Sequence, residues 1–204
     1  MWIRKLLMAA FVAAFAVPAL AQAPAPAGTP MIVRGVIEKL DGTTLTIKSR
    51  EGQEVTVTLA DPADVRGVKR VRLSAIKAGD HLGIAALADA SGKLHAQSVT
   101  IFPDWLHVAD GQRPWDVTPD SIMTNGTVGQ VTKVSRSRVL QVQYGDKSAD
   151  IEVASRTPIV TYVKETTREL RAGRAVTVFA RKMADGSVVA NATVVQRGRV
   201  KPPM

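Results

Sequence analysis

Apolar and polar residues alternate along most of the chain after residue 30. Residues 54–59, for example, alternate valine and leucine with threonine. This period of two is typical of antiparallel strands that bury one face. Asp41-Gly42 and Glu51-Gly52 separate such runs, as hairpin turns do, because glycine adopts a positive φ without steric cost. The pattern predicts an all-β fold.

The order of strands and turns after residue 122 repeats the order before residue 103. Gly35 corresponds to Gly126 with an offset of 91, and Ser91-Gly92 corresponds to Asp185-Gly186 with an offset of 94. Few identical residues accompany the match, so it depends on the order of features and on the turn chemistry. We interpret the chain as two tandem copies of one β-domain.

Each copy has the predicted connectivity of a small Greek-key barrel. Residues 74–79 predict a one-turn helix, with the serine as its N-cap and the last glycine just past its end. Five strands with a short helix between the third and the fourth have the connectivity of an OB-fold. Gly35 and Gly126 lie in the first strands, where a bend lets one strand join both sheets. We therefore expect two tandem OB-like β-barrels, at residues 31–102 and 123–200.

The first 21 residues have the three parts of a secretory signal. Arg4 and Lys5 precede an apolar run over residues 6–17, and Ala19-Leu20-Ala21 supplies small residues at a cleavage site. About a dozen apolar residues are fewer than the ~20 that span a bilayer. We expect cleavage after residue 21, a leader rich in proline and alanine at 22–30, and a periplasmic protein without a membrane span.

Charge is unevenly distributed in the part that would be exported. Residues 123–204 contain 14 basic and 6 acidic residues, whereas the linker at residues 103–122 contains 1 basic and 4 acidic residues. In an exported protein, a basic surface meets lipid phosphates, anionic glycans or acidic proteins before it meets nucleic acid. We expect the partner to be an anionic envelope component or another envelope protein.

Several classes of chemistry lack their residues in this sequence. The absence of cysteine excludes disulfides and thiolate metal sites. The chain also has no nucleophile elbow, no His-Glu-x-x-His and no phosphate-binding glycine loop, so we expect neither an enzyme nor a cofactor. Residues 66–72 form a basic run, but the alternation of this run with Val68 and Val71 also fits a strand with one solvated face. Residues 31–101 contain no aromatic side chain on which a base would stack. Nucleic-acid binding is therefore not expected.

The linker holds the candidate ligand-binding residues, which are Trp105, His107, Arg113, Trp115 and Asp116. A loop of this length is usually functional or firmly docked. In one interpretation, the tryptophans stack on a sugar or clasp an apolar partner segment, while Arg113 and Asp116 orient it through hydrogen bonds. In another, the tryptophans fill the interface between the barrels.

These residues support two hypotheses about function. The first is a non-enzymatic binding or assembly module for the anionic envelope component or envelope protein. The alternative is a periplasmic metal-binding protein, in which His107 and nearby carboxylates hold copper or zinc.

Five segments together resemble a family of exported bacterial proteins. They are Val33 to Val36 with the turn at Asp41-Gly42, Ile76 to Asp80, Arg113 to Asp116, Met123 to Asn125, and Pro202 to Met204. The family is built on a small OB-like β-barrel domain of unknown function, and members are sometimes labelled metal transporter permeases. The resemblance implies a periplasmic β-protein and brings no catalytic residues. Gln112 stands where the family is expected to have a histidine, which argues against a metal role at that position.

Overall fold

A computed structural model describes residues 28–203, and these residues form an all-β protein. The predicted signal segment, most of the leader and Met204 lie outside the described residues. Within the described part of the chain, no helix is long and apolar enough to cross a membrane.

The two halves of the chain contain the same order of elements. The first half forms β1 (Thr29–Asp41), β2 (Thr44–Ser49), β3 (Glu54–Leu59), β4 (Val65–Arg70), β5 (His81–Ala88) and β6 (Leu94–Ile101). After the short linker strand β7 (Gly111–Pro114), the second half forms β8 (Ile122–Val134), β9 (Ser137–Tyr144), β10 (Lys147–Ala154), β11 (Ile159–Glu165), β12 (Ala175–Lys182) and β13 (Val188–Val195). The predicted turn at Asp41-Gly42 is confirmed, since it connects β1 to β2 and Gly42 has a φ of 57°.

Strand pairing exchanges a hairpin between the halves. In the first barrel, β1, β2 and β3 form a closed ring with β12 and β13 of the second half. In the second barrel, β8, β9 and β10 form a closed ring with β5 and β6 of the first half. The pairings differ from the predicted barrels at residues 31–102 and 123–200, which consist of consecutive strands. An exchanged hairpin keeps its alternation and its turns, so the pattern along the chain does not reveal the exchange.

Two strands, β4 and β11, connect the barrels. They pair antiparallel with each other, and β4 also pairs with β13 while β11 pairs with β6. The prediction of a helix between the third and fourth strands is wrong. A 3-10 turn at Leu73–Ala75 follows the fourth strand instead, and its N-cap is Arg72 rather than Ser74. A second 3-10 turn, at Thr167–Glu169, follows β11 in the other half. The additional strand, β4, has both of its partners, β11 and β13, in the other half of the chain.

Each barrel encloses an aliphatic core. Fully buried side chains of the first barrel include Ile37, Leu45, Ile47, Val57 and Val178, and those of the second include Leu82, Ile84, Val99, Leu140 and Ile151. These side chains come from both halves of the chain. The hydrophobic effect therefore holds the exchanged hairpins in place, because removing one exposes the core it covers.

Two glycines allow the long strands β1 and β8 to change partner. Gly35 pairs with Val176 on one side and Ser49 on the other. A Cβ there would lie 2.1 Å from the Lys48 carbonyl oxygen, and a Cβ at Gly126 would lie 2.2 Å from that of Gln143. Only glycine fits such a close approach. The bend predicted at these glycines stays a prediction, because the register shifts of β1 and β8 lie a few residues later, between Ile37 and Lys39 and between Val128 and Gln130.

Candidate functional site

A cavity of about 220 Å³ lies between the two barrels. Its wall combines β1, β12 and β13 of the first barrel, β5, β6 and β8 of the second, and the connecting strands β4 and β11. The apolar part of the wall includes Phe102, Val108, Met123, Tyr162, Phe179 and Val194. Three arginines, Arg34, Arg66 and Arg113, bring positive charge to this largely apolar wall. We refer to it as the inter-barrel cavity.

Arg34 is the buried charge of the inter-barrel cavity. Val33 belongs to the core of the first barrel, so alternation along β1 directs Arg34 to the other face of the strand. The Arg34 side chain is 5% exposed, and its Nη2 donates a hydrogen bond of 2.7 Å to Asp116 Oδ1. Asp116 is 46% exposed, so water weakens this ion pair.

The Arg34 guanidinium has two further donors that lack an acceptor. Its Nε and Nη1 are buried without a hydrogen-bond partner. Among the other side chains of the described residues, only Nε of Arg181 is buried without a partner in the same way. Leaving a buried donor unpaired costs about 1–3 kcal/mol, and more when the group is charged. Burial lowers the pKa of Arg34, and the charge of Asp116 opposes that shift. The protein thus retains a buried cation that its own side chains satisfy only in part.

Trp115 brings an aromatic ring to two of the arginines. The Cζ atom of Arg34 lies 5.5 Å from the centroid of the Trp115 ring, and that of Arg113 lies 5.1 Å from it. Cation–π attraction operates at these distances. On another part of the wall, Arg66 lies 6.0 Å from the Tyr162 ring and donates hydrogen bonds to Asp64. Arg66 is therefore paired with the Asp64 carboxylate through two hydrogen bonds, whereas two nitrogens of Arg34 have no acceptor.

The linker is held in place by its own hydrogen bonds. Arg113 lies in β7, which pairs with β8. The Trp115 amide donates to the Ser121 carbonyl oxygen at 2.7 Å. The buried Ser121 hydroxyl lies within hydrogen-bond distance of the carbonyl oxygens of Trp115 at 3.1 Å and Thr118 at 2.7 Å. Arg50 donates to the carbonyl oxygen of Asp116 at 3.3 Å. These contacts fix the second part of the linker against the wall of the cavity.

The structure brings together three of the five predicted site residues. Arg113 and Trp115 line the inter-barrel cavity, and Asp116 is the ion-pair partner of its buried arginine. The other two lie elsewhere: Trp105 is 41% exposed with Lys164 Nζ 5.2 Å from its ring, and His107 is exposed. Val108 lines the cavity, but its neighbour His107 is not among the lining residues.

The histidines do not converge on a metal site. Among residues 28–203, no three His, Cys, Asp or Glu side chains are close enough to hold a metal ion. His81 lies 3.0 Å from Asp110, and His95 lies 2.9 Å from Asp89. Each of these pairs offers one imidazole and one close carboxylate, which is fewer ligands than copper or zinc requires.

A wider groove of about 650 Å³ adjoins the inter-barrel cavity. Arg113, Trp115 and Phe179 line both. The remaining wall of the groove is mostly apolar and includes Pro30, Met31, Ile32, Pro114 and Ala180. Cavity and groove together reach the size range of ligand sites in proteins.

Sequence reasoning missed Arg34, Arg66 and the two prolines near the end of the described chain. Pro202 and Pro203 line the inter-barrel cavity, and Pro202 is buried. One signal was present along the chain: Arg34, the run from Arg113 to Asp116 and the two prolines all lie in segments on which the predicted family resemblance is based, and that resemblance stays a prediction. The structure brings these distant segments to one cavity.

Comparisons with known protein families, curated proteins and solved structures find no match. The function is therefore argued from the geometry of the inter-barrel cavity.

Proposed function

We propose that this protein is an exported, periplasmic, non-enzymatic binding module that holds an anionic envelope component. In this proposal the ligand has an oxyanion, either a carboxylate or a phosphate, attached to an apolar body. The oxyanion enters the inter-barrel cavity, and the apolar body lies along its wall and the adjoining groove. The signal-like segment at residues 1–21 supports export.

Arg34 carries the proposal. It is a permanently charged group, nine-tenths buried, with two donors that no side chain satisfies. Guanidinium groups form strong charge-assisted hydrogen bonds with carboxylates and phosphates. A ligand oxyanion would supply the missing acceptor. Its negative charge would also complete the compensation of the Arg34 charge, which the half-exposed Asp116 provides only in part. Such a group gains more from binding here than it would on the protein surface, because the site is shielded from water.

The wall of the cavity favours an apolar body next to the oxyanion. Phe179 and Trp115 extend from the cavity into the groove, so a flat or chain-like apolar group has a continuous surface to cover. Burial of apolar area contributes about 25 cal/mol per Å². The cavity volume of about 220 Å³ limits the part enclosed to a small group, and any larger body must lie in the groove.

We also propose that the two halves are copies of one OB-like unit whose last hairpins have been exchanged. Their identical element order supports this origin. So does the cavity wall, where Gly83, Ser98 and Thr100 face it together with Thr177, Ala192 and Val194, their counterparts at an offset of 94. Asn125 stands at the position that corresponds to Arg34. The wall is therefore nearly symmetric in position, but only one side has the buried cation.

Thermal unfolding with small probes tests the binding proposal. The probes are benzoate, hexanoate and phenyl phosphate, with benzamide, hexanamide and phenol as their neutral counterparts. A ligand that binds the folded state raises the melting temperature. We expect at least one anion to stabilise the protein while its neutral counterpart does not, and the comparison of benzoate with phenyl phosphate separates carboxylate from phosphate recognition.

Two variants complete the test. Arg34→Met should abolish the stabilisation, whereas Lys164→Met, which removes a charge beside Trp105 outside the cavity, should preserve it. Equal shifts with anions and their neutral counterparts, or full stabilisation of the Arg34 variant, would overturn the proposal. So would the absence of any shift with all three anions.

A further inference from the structure

Four exposed arginines line two neighbouring grooves that share no lining residue with the inter-barrel cavity. Arg70 and Arg72 line one groove, Arg136 and Arg156 line the other, and Ser155 lines both. Each groove has a volume of about 410 Å³. The arginines come from the end of β4, the β8–β9 turn and the β10–β11 connection. We call this set the arginine-rich surface.

The arginine-rich surface has uncompensated positive charge. Among residues 28–203, none of its four arginines forms an ion pair. Several arginines elsewhere have carboxylate partners, as in Arg174 with Glu169 and Arg197 with Glu165. Glu152 lines one of the two grooves, but its carboxylate is already 2.6 Å from Lys93 Nζ. The four guanidiniums are thus available to an external anion.

The β8–β9 turn adds an apolar side chain to this charge. Val134 is 47% exposed and lies between Lys133 and Arg136 in sequence. The next residue, Ser135, has a φ of 51°, a left-handed conformation that is rare for residues other than glycine and that forms the tip of the hairpin. An apolar side chain between cations is the arrangement that membrane interfaces favour, with the apolar group at the headgroup level and the cations on phosphates.

The corresponding segments of the first half have the opposite charge. Asp41 at the end of β1 corresponds to Val134 at the end of β8, and the turn residues Gly42 and Thr43 correspond to Ser135 and Arg136. The β3–β4 connection contains Asp61 and Asp64, whereas the β10–β11 connection contains Arg156 and no acidic residue. The two loops that contain Arg136 and Arg156 therefore have no basic residue in their first-half counterparts.

We propose that the arginine-rich surface docks the protein on an anionic phospholipid membrane. The guanidiniums bind lipid phosphates, the exposed Ser135 and Ser155 hydroxyls donate to the same oxygens, and Val134 enters the headgroup region. Arginine suits this role because its planar guanidinium presents several donors to one phosphate. The proposal is independent of the inter-barrel cavity, and each can fail without the other.

Co-sedimentation with lipid vesicles tests the docking proposal. We expect the protein to bind vesicles made of equal parts phosphatidylglycerol and phosphatidylcholine, and to be released by salt, which screens exposed charges. Vesicles of phosphatidylcholine alone should not bind. Each basic residue at such a surface is worth about fivefold in partitioning, so Arg136→Gln with Arg156→Gln should weaken binding about thirtyfold.

A matched control separates the proposed surface from net charge. Lys39→Gln with Lys48→Gln removes the same number of charges from β1 and β2, and both lysines are exposed. This control should bind the anionic vesicles as the unaltered protein does. Equal weakening by the two double variants would overturn the proposal, because it would show that net charge alone attracts the protein.

Tryptophan fluorescence at single positions shows which turn of the protein contacts the membrane. A tryptophan introduced as Val134→Trp should shift its emission to shorter wavelength on anionic vesicles, because it enters a less polar environment. Thr43→Trp, in the β1–β2 turn, should not shift. The absence of vesicle binding would overturn the proposal. So would binding to soluble heparin that anionic vesicles fail to displace, since the partner would then be a soluble polyanion rather than a membrane.

Discussion

Arg34 shows how one residue can be paired and still incompletely satisfied. Asp116 accepts from one of its nitrogens, and the other two have no acceptor. Burial without full pairing is costly, so residues of this kind are retained for function more often than for stability. Because the unpaired donors of Arg34 are costly, the binding proposal also predicts how a substitution of Arg34 changes stability in the absence of a ligand.

Replacing Arg34 with methionine should change stability little. The variant loses a half-exposed ion pair and a contact with Trp115, but it also removes two unpaired buried donors. We expect the free energy of unfolding in urea to change by less than about 1 kcal/mol, whereas breaking a fully buried ion pair costs about 3–5 kcal/mol. A loss of the larger size would show that Arg34 is a structural group and would contradict its assignment as a binding group.

The hydrogen bonds of the Asp89 carboxylate make the stability of the fold depend on pH. Its carboxylate accepts hydrogen bonds from the Ser91 hydroxyl and amide, from the Lys93 amide and from His95 Nε2. The hydrogen bond from the Ser91 side chain, followed by that from His95, holds the pKa of Asp89 well below its ordinary value of 3.8. A depressed pKa stabilises the fold above the unfolded-state value, and this contribution is lost as the pH falls through the folded-state value.

Asp89→Asn should therefore lower the melting temperature at pH 7, and the difference from the unaltered protein should shrink as the pH falls below about 4. Thermal unfolding at a series of pH values measures it. The control is Asp104→Asn, an exposed aspartate without a hydrogen bond among the described residues, which should show no such trend. A difference that is constant with pH would rule out the proposed role of the Asp89 carboxylate.

At the scale of elements, the partner changes of β1 and β8 depend on two glycines. A Cβ at either position would meet a backbone carbonyl oxygen at 2.1 or 2.2 Å, and a backbone carbonyl cannot move without breaking the strand pairing. Gly35→Ala and Gly126→Ala should each destabilise the protein by at least about 2 kcal/mol, as measured by urea unfolding.

Gly129→Ala is the matched control for these glycines. It lies in the same strand as Gly126, and its Cβ would first meet the flexible amide of Gln143 at 3.0 Å. We expect a change of less than about 1 kcal/mol, because the side chain can move aside. If all three substitutions were equally tolerated, the close approach would not be what requires glycine at positions 35 and 126.

The elements show which parts of a β-fold can be predicted from its sequence. Strands and tight turns were predictable at sites such as Asp41-Gly42, because alternation and glycine are local properties. The alternation over residues 66–72 also fits a strand, but the partners of β4 and the exchange of hairpins were not predictable, because both depend on which strand lies alongside. Ile37 and Val178, for example, share one core although they are distant in sequence. Local patterns predict that both are buried but not that they meet.

In the candidate site, too, local patterns revealed some residues but not which distant residues meet. Arg113, Trp115 and Asp116 were found because a cluster of aromatic and charged residues in a loop is visible along the chain. Arg34 was missed because its role depends on Asp116, which lies 82 positions away. Trp105 and His107 were included by proximity in sequence, and the structure places both outside the inter-barrel cavity.

At the scale of the whole molecule, the exchange makes the two barrels interdependent. Each contains strands from both halves, and β4 pairs with β11 between them. We expect a single unfolding transition in calorimetry, and Gly35→Ala and Gly126→Ala should each lower that one transition although they lie in different barrels. Two separate transitions, each moved by only one of the variants, would contradict an exchanged fold.

The central claim is that a ligand bound in the inter-barrel cavity supplies an oxyanion to the unpaired donors of Arg34. The most direct measurement is the NMR signal of the Arg34 Nε–H group, identified by its absence in Arg34→Lys. During a titration with the anion that stabilises the protein most, the account predicts that this signal shifts and saturates with the binding curve, and that the neutral counterpart leaves it in place. A signal that stays unchanged while the anion saturates the protein would contradict the claim, because the anion would then be bound elsewhere.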